Sequence, residues 1–351
     1  MRVALNINSL KSGHKYRGLG FYTKRLLLEL EQLSKSTSKS PIQLIKFDNK
    51  PPKKADIVHY PAFTLFQPKK NISFKNKIIF TVHDLIPLKF PKRFPLGIRA
   101  KLAWFIQKNN LKKASVLITD SKASKKDIIR FAKIQPDKIK VIYLAADKVF
   151  KPLKNKTWLA SIKKRYQLPD KFIFYVGDLN YNKNIPLLAQ TCLDLDFPLV
   201  VVGKRAVAQD FDEKHPETQD LVQFQALAKN NPQKIIRLGF VPTKDLVGLY
   251  NLATVYAHPS IAEGFGLPIL EAMACGCPVI TSRTSSLAEI AGQAALLVNP
   301  ASRIEITKAL KSLWQKPALR QKLSKLGLER NKKFSWQKTA QQTYEVYKKT
   351  I

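Results

Sequence analysis

Cysteine is scarce in this chain. Three occur in 351 residues, Cys192, Cys275 and Cys277, a sparse, odd count that fits a reducing cytoplasm and argues against a disulfide scaffold. Cys275 and Cys277 are spaced Cys-x-Cys, but no second pair exists to complete a zinc site. Long apolar runs are missing too. No stretch approaches the roughly 18–20 residues that span a bilayer, and the opening Met1-Arg-Val-Ala-Leu-Asn-Ile-Asn reads as a short strand, not a signal peptide. A cytoplasmic protein is therefore expected. Acidic residues are the other deficit: 25 stand against 61 Lys and Arg, for a formal net charge of +36. Residues 1–165 hold 38 basic and 9 acidic residues, a net of +29, while 166–351 hold 23 and 16, a net of +7. Such a field attracts polyanions, either nucleic acid or the anionic inner face of a membrane. The plainer reading is lysine used for solubility. A zinc finger, an RRM aromatic pair and other nucleic-acid modules are lacking, so no specific nucleic acid is expected.

What is present is an almost unbroken alternation of strand and helix patterns, which predicts an α/β chain with parallel sheets. Its length is comfortable for two domains. In the first half, strands are expected over 2–8, 42–47, 57–59, 78–82, 116–120 and 141–144. Helices are expected over 21–33, 100–111 and 122–131, and a polar glycine-bearing loop over 11–20. Residues 148–170 break the composition with a basic run, a basic helix and Leu168-Pro169-Asp170, and read as a linker. Strands then follow over 172–176, 199–202, 235–238, 254–257, 278–281 and 295–298, with helices between them and after. The tail from Phe334 has amphipathic helical spacing, with Ser335 placed as its cap. The expected domains are 1–160 and 161–333, with 334–351 as a terminal helix.

The densest signal lies between Ser260 and Glu289. Glu263 and Glu271 flank a glycine-rich turn, Gly264-Phe265-Gly266, that runs into a short helix from Leu267. Pro268 suits the first helical turn; Gly276 ends the helix and Pro278 prevents its continuation. Backbone N–H groups and a helix N-terminus converge there, an arrangement that receives phosphate. Two carboxylates beside such a site point to a ligand with hydroxyls as well, such as a nucleotide sugar.

This segment resembles the signature of the retaining glycosyltransferases of family 4, in its Glu-x7-Glu spacing, its Glu-Gly-Phe-Gly-Leu-Pro core and its Leu-Glu-Ala-Met-Ala helix. The resemblance implies a GT-B fold: two Rossmann-like, doubly wound parallel-sheet domains facing a central cleft, with the last helix crossing back to the first domain. It implies that Glu263 contacts donor-sugar hydroxyls, that Glu271 binds the ribose, and that Gly264, Phe265, Gly266 and Leu267 hold sugar and diphosphate. It assigns Lys183, in Tyr175-Val-Gly177-Asp178-Leu-Asn-Tyr-Asn-Lys183, to the leaving diphosphate. Asp178 stands where the family commonly has Arg, and Lys204 or Arg205 is the expected substitute cation. Gly18 and Gly20 would approach the donor phosphate through backbone N–H groups, and backbone near Val241 would meet the base. His83 at a strand end would serve the reaction or the acceptor, with Asp84, Asp120 and Ser121 as further acceptor residues. Tyr143-Leu-Ala-Ala-Asp147 departs from the family's usual pattern near the hinge.

Two Asp-x-Asp spacings, Asp194/Asp196 and Asp210/Asp212, copy a metal motif of a different glycosyltransferase fold. The first precedes a strand and the second sits in a polar loop, so both read as solvated acids, and no metal or other cofactor is expected. The implied reaction moves a hexose from a nucleotide diphosphate sugar to a glycan or lipid-linked hydroxyl, with retention through front-face displacement. Val82-His83-Asp84-Leu-Ile-Pro87 looks most like the mannosyltransferase-like branch, which makes GDP-mannose the first expectation for the donor and a UDP-sugar the second. The rival readings are a polyanion- or nucleic-acid-binding protein, a GT-B-fold sugar-nucleotide epimerase and a catalytically silent homologue.

Overall fold

In a computed structural model of the chain, the described residues are 1–11, 18–36, 42–68, 72 and 75–351. They divide into two compact units, one of 1–91, 95–145 and Phe334–Ile351, the other of 92–94 and 146–333.

The first unit contains β1 (Arg2–Asn6), α1 (Gly18–Ser36), β2 (Gln43–Phe47), β3 (Ile57–Tyr60), β4 (Lys77–Thr81), α2 (Ile86–Lys89), α3 (Ile98–Lys113), β5 (Val116–Thr119), α4 (Lys122–Ala132) and β6 (Ile139–Val141). Its six strands form one sheet in the order β2-β1-β3-β4-β5-β6, and every pairing is parallel. The central strands are buried along nearly their whole length, which is why they read as continuous apolar runs rather than alternating ones.

Helix α1 starts at Gly18, three residues before the expected start, so Gly18 and Gly20 belong to its first turn and not to a loop. The first turn of a helix has unpaired N–H groups in any case, and glycine costs little there. Tyr22, 1% exposed, fixes the turn. Gly13 and the rest of 12–17 lie outside the described residues.

The second unit contains α5 (Lys156–Arg165), β7 (Ile173–Val176), α6 (Ile185–Asp194), β8 (Leu199–Val202), α7 (Gln219–Asn230), β9 (Ile235–Leu238), α8 (Thr243–Leu252), β10 (Val255–His258), α9 (Leu267–Ala274), β11 (Val279–Ser282), α10 (Leu287–Ala291), β12 (Ala295–Val298), α11 (Arg303–Gln315) and α12 (Pro317–Asn331). The sheet order is β12-β11-β10-β7-β8-β9, again parallel throughout. Numbered within the unit this is 6-5-4-1-2-3, the doubly wound order, whose direction reverses between β7 and β10. Ligands of such sheets lie beyond the carboxyl ends of the strands at that reversal.

The final helix, α13 (Trp336–Thr350), is capped by Ser335, whose hydroxyl accepts from the Lys338 N–H. It packs in the first unit against α1: the Trp336 and Phe21 rings meet edge-on at 5.8 Å. Tyr347 is fully buried and its Oη lies 2.6 Å from Nδ1 of His59 on β3. His59 Nε2 lies 2.8 Å from Thr81 Oγ1 on β4. Burial pushes the His59 pKa down to about 3, so the ring is neutral and ties the tail to the sheet by hydrogen bonds alone.

Candidate active site

Two loops meet at the reversal point of the second sheet. One leaves β7 and carries Lys183; the other leaves β10 and carries Glu263. The first must turn tightly. Gly177 has φ +150°, and a Cβ there would stand 2.7 Å from Tyr175 Oη, which itself donates to the Asp178 carbonyl at 2.8 Å. The two loops are then stitched together: the Ile261 N–H donates to the Asn182 carbonyl at 2.7 Å, and Asn182 Nδ2 to the Ala262 carbonyl at 3.0 Å. Asn184, at φ 60° where asparagine is well tolerated, donates to the carbonyls of Pro259 and Pro300.

A third loop closes the other side. Ser285 Oγ accepts from the Glu263 N–H at 3.1 Å and donates to the Glu263 carbonyl at 2.7 Å, and Ser286 Oγ adds a second bond to that carbonyl at 2.9 Å. Gly266, at φ +100°, caps α9; a Cβ there would meet Leu287 Cδ2 at 2.8 Å. At its other end α9 stops at Gly276, φ +74°.

This framework presses a charged pair together at the strand ends. Lys183 Nζ lies 2.6 and 2.8 Å from the two Glu263 oxygens. His258, 1% exposed, donates from Nε2 to Glu263 Oε1 at 2.8 Å, and its Nδ1 stands 2.9 Å from Tyr256 Oη. Burial lowers the His258 pKa, so the imidazole is neutral, which makes Nδ1 the acceptor of the Tyr256 hydroxyl. Burial alone would raise the Glu263 pKa; the Lys183 ammonium, followed by the His258 hydrogen bond, outweighs it and holds the carboxyl at about 2. Glu263 is therefore ionised throughout the neutral range. A carboxylate offers about four lone-pair sites. Lys183 and His258 use both on Oε1 and Lys183 one on Oε2, which leaves a position on Oε2 for one incoming hydroxyl. Lys183 keeps a third N–H for an anion.

Glu271, one turn into α9, has a different setting. Tyr250 Oη donates to its Oε2 at 3.0 Å. Burial pushes its pKa up to about 7; the Tyr250 bond opposes this and Asp147 adds to it. No cation neutralises it among the contacts described. Tyr250 is fully buried and packs edge-on with Phe174 at 5.2 Å and Tyr256 at 5.4 Å, so Glu271 is held on a rigid aromatic support. Asp178 is exposed. Of the two expected substitutes, Arg205 reaches the β7 loop, with Nη1 2.6 Å from Asn180 Oδ1, while Lys204 Nζ lies 5.6 Å from the Phe240 ring centroid. Val241 is buried, while Phe240 and Pro242 on either side of it are exposed.

The other expected site residues lie in the first unit. His83 Nδ1 is 2.5 Å from Asp120 Oδ2, and Nε2 is 3.0 Å from the Pro61 carbonyl. Burial would lower the His83 pKa, but Asp120 and the Pro61 carbonyl raise it overall. Both ring nitrogens thus face oxygen, and an acceptor could engage the ring only by displacing one partner. Asp84 Oδ1 accepts from the Ile86 N–H at 3.0 Å, and Ser121 Oγ accepts from the Ser124 N–H at 3.0 Å. Ser121 is the N-cap of α4; Asp84 lies one residue before the α2 N-cap, Leu85. Of the Asp-x-Asp spacings, Asp194 pairs with Arg303 and Asp196 with Lys234, while Asp212 Oδ1 accepts from the Lys214 N–H.

Sequence reasoning missed His258, Tyr250, Ser285 and Ser286. His258 had a signal: it ends a strand five residues before Glu263. The serines had none, because their role depends on which loops meet.

Residues 159–330 match the model of the glycosyl transferases group 1, and residues 29–148 that of glycosyltransferase family 4. The O-antigen chain mannosyltransferase B of Escherichia coli is 31% identical over 280 residues, 78% of this chain and 70% of that protein. The serotype-specific mannosyltransferase WbdA of the same organism is 29% identical over 293 residues, 80% of this chain but only 34% of that protein. Among solved structures, Anabaena HepE in complex with UDP and glucose superposes with a TM-score of 0.71 at 16% identity, covering 99% of this chain and 100% of the other. The fold is GT-B, and the chain belongs to glycosyltransferase family 4, as a mannosyltransferase-like glycosyltransferase.

Proposed function

We propose that the enzyme transfers mannose from GDP-mannose, with retention, to a hydroxyl of a glycan or lipid-linked acceptor. The observation that carries the reading is the Lys183–Glu263–His258 cluster at the sheet reversal. It sets an ionised carboxylate with one open acceptor position beside an ammonium with one open donor position. A sugar hydroxyl can donate to Glu263 Oε2 while a diphosphate oxygen accepts from Lys183. As the bond between sugar and diphosphate breaks, negative charge grows on the leaving group and the Lys183 interaction strengthens with it; such differential stabilisation is what lowers a barrier. The remaining residues position: Glu271 takes ribose hydroxyls, and the backbone of 264–267 with the α9 N-terminus faces the diphosphate. The mannosyltransferases among the relatives support the choice of sugar, and the UDP and glucose of HepE support a nucleotide sugar as the donor class.

The test is thermal stabilisation by GDP, UDP and ADP without added metal. A ligand at ~100 times its dissociation constant adds ~2.7 kcal/mol, and GDP is expected to give the largest shift. A larger shift with UDP would overturn the donor, and none with any nucleotide would overturn the site.

The same titration carries a pH prediction. Ribose hydroxyls favour the ionised form of Glu271 and so lower its pKa from about 7. Binding then releases a proton below that pH. Nucleotide affinity is expected to rise from pH 6 to pH 7.5, by up to ~10-fold per unit, and Glu271→Gln should flatten the profile. A steep profile that survives in Glu271→Gln would remove the residue from the ribose.

Arg205 supplies the cation missing at Asp178. Arg205→Ala is expected to weaken GDP binding by ~10-fold, the value of one charge-assisted contact. Unchanged affinity would leave Lys183 as the sole clamp.

A further inference from the structure

Helix α3 is apolar on two faces, of which one is buried and the other exposed. Ala103, Gln107 and Leu111 are buried. Leu111 joins the core of the first unit, and Gln107 Nε2 donates to the Thr64 carbonyl at 2.6 Å, which fixes the rotation of the helix. The opposite face carries Ile98, Leu102, Phe105 and Ile106, at the i, i+4, i+7, i+8 spacing of a single stripe. Ile98 is 86%, Leu102 60% and Phe105 62% exposed. Large apolar side chains gathered in this way on a surface mark a contact site.

The margins of the stripe are basic. By helical position Lys101, Lys108 and Lys112 run along one side, and Arg99 and Lys113 along the other, with no acidic residue anywhere in α3. An apolar stripe between cationic margins matches the boundary between acyl chains and anionic headgroups: the apolar side chains enter and the cations meet phosphate. A second copy of this chain is a poor occupant, because it would bring two cationic stripes, on molecules of charge +36 each, face to face.

We propose that the outer face of α3 docks the enzyme on an anionic lipid bilayer, with Leu102 and Phe105 inserted and Arg99, Lys101 and Lys112 on the headgroups. The contact is interfacial; no helix among the described residues is long and apolar enough to cross a membrane. It is independent of the sugar-donor chemistry, and its test uses no donor or acceptor.

The experiment is co-sedimentation of the full chain with vesicles of phosphatidylglycerol and phosphatidylcholine in equal parts, against pure phosphatidylcholine, at physiological salt. The protein is expected on the anionic vesicles only. Arg99, Lys101 and Lys112 changed together to Gln should lower partitioning on the order of 100-fold. Leu102→Glu with Phe105→Glu should abolish it even at low salt, where general attraction to the basic surface is strongest. All five positions are exposed, so the variants should keep the wild-type unfolding midpoint and nucleotide-induced shift. Three outcomes overturn the proposal: no retention of the wild type, full retention of Leu102→Glu/Phe105→Glu, or a wild-type dimer in sedimentation velocity that this double variant dissolves.

Discussion

Glu263→Ala is expected to lower sugar transfer by on the order of 10²–10³-fold, with a smaller effect on nucleotide affinity. The carboxylate is fixed on every side, by Lys183, by His258 and, through its backbone, by Ser285 and Ser286. Its open acceptor position is therefore preset rather than found by rearrangement, and such presetting is where the rate advantage lies. Alanine removes the acceptor and leaves Lys183 to pair with the diphosphate from the start, so ground-state binding of nucleotide is retained or improved while turnover falls. The check is release of nucleoside diphosphate from the donor in the presence of acceptor, with the nucleotide-induced thermal shift measured in parallel. Near-normal turnover in a folded variant would remove Glu263 from the reaction.

Lys183→Ala attacks the same pair from the other side and should damage both function and stability. Transfer is expected to fall on the order of 10²–10³-fold through loss of leaving-group stabilisation, now with weakened nucleotide binding. Stability should drop by about 3 kcal/mol, because the change strands a mostly buried carboxylate without its cation. The pH dependence follows from the sign of the shift. Glu263 is depressed in the folded protein from 4.5 to about 2, so its contribution is fully present above pH 4.5 and is lost as pH falls toward 2. Without Lys183 the depression shrinks. The stability gap between wild type and Lys183→Ala should therefore be widest at neutral pH and close between pH 4.5 and 2, measured by denaturant unfolding across that range. A gap independent of pH would mean that Lys183 acts through packing and not through charge.

The segment that marks the candidate site was legible in the sequence because its pattern is local. Glu263, the glycine turn, Pro268, Glu271 and Gly276 fall within one strand–loop–helix passage, and the constraints on each act over a few residues. The parallel sheets were legible for a related reason: a strand buried on both faces must be apolar along its length, as 199–202 is, and the edge runs 235–238 and 295–298 also have the bounds expected. The partnerships were not legible. Lys183 and Glu263 are 80 residues apart, and that they meet depends on β7 lying beside β10, which pattern alone does not fix. His258 looked like the residue after a strand; its bond to the Glu263 carboxylate fixes its tautomer, and Tyr256 behind it donates to the other ring nitrogen. Asp84 and Ser121 are of types that suit a sugar-binding edge and a local backbone bond equally, and the bonds each accepts, from the Ile86 and Ser124 N–H groups, could not be told from type alone. In α1 the glycines at 18 and 20 signalled a loop, but the helix already begins at Gly18. Along α3 the periodicity gave a helix without saying which of its two apolar faces the core would take.

The most direct test of the donor site is a calorimetric comparison of GDP with GDP-mannose on wild type, Lys183→Ala and Glu263→Gln. Lys183→Ala should weaken both ligands alike, by ~10-fold or more, because both carry the diphosphate. Glu263→Gln should leave GDP essentially unchanged and weaken GDP-mannose alone, because only the sugar reaches Oε2. If Glu263→Gln weakens the two ligands equally, or if Lys183→Ala weakens neither, the cluster at the sheet reversal does not hold the sugar diphosphate and the account fails.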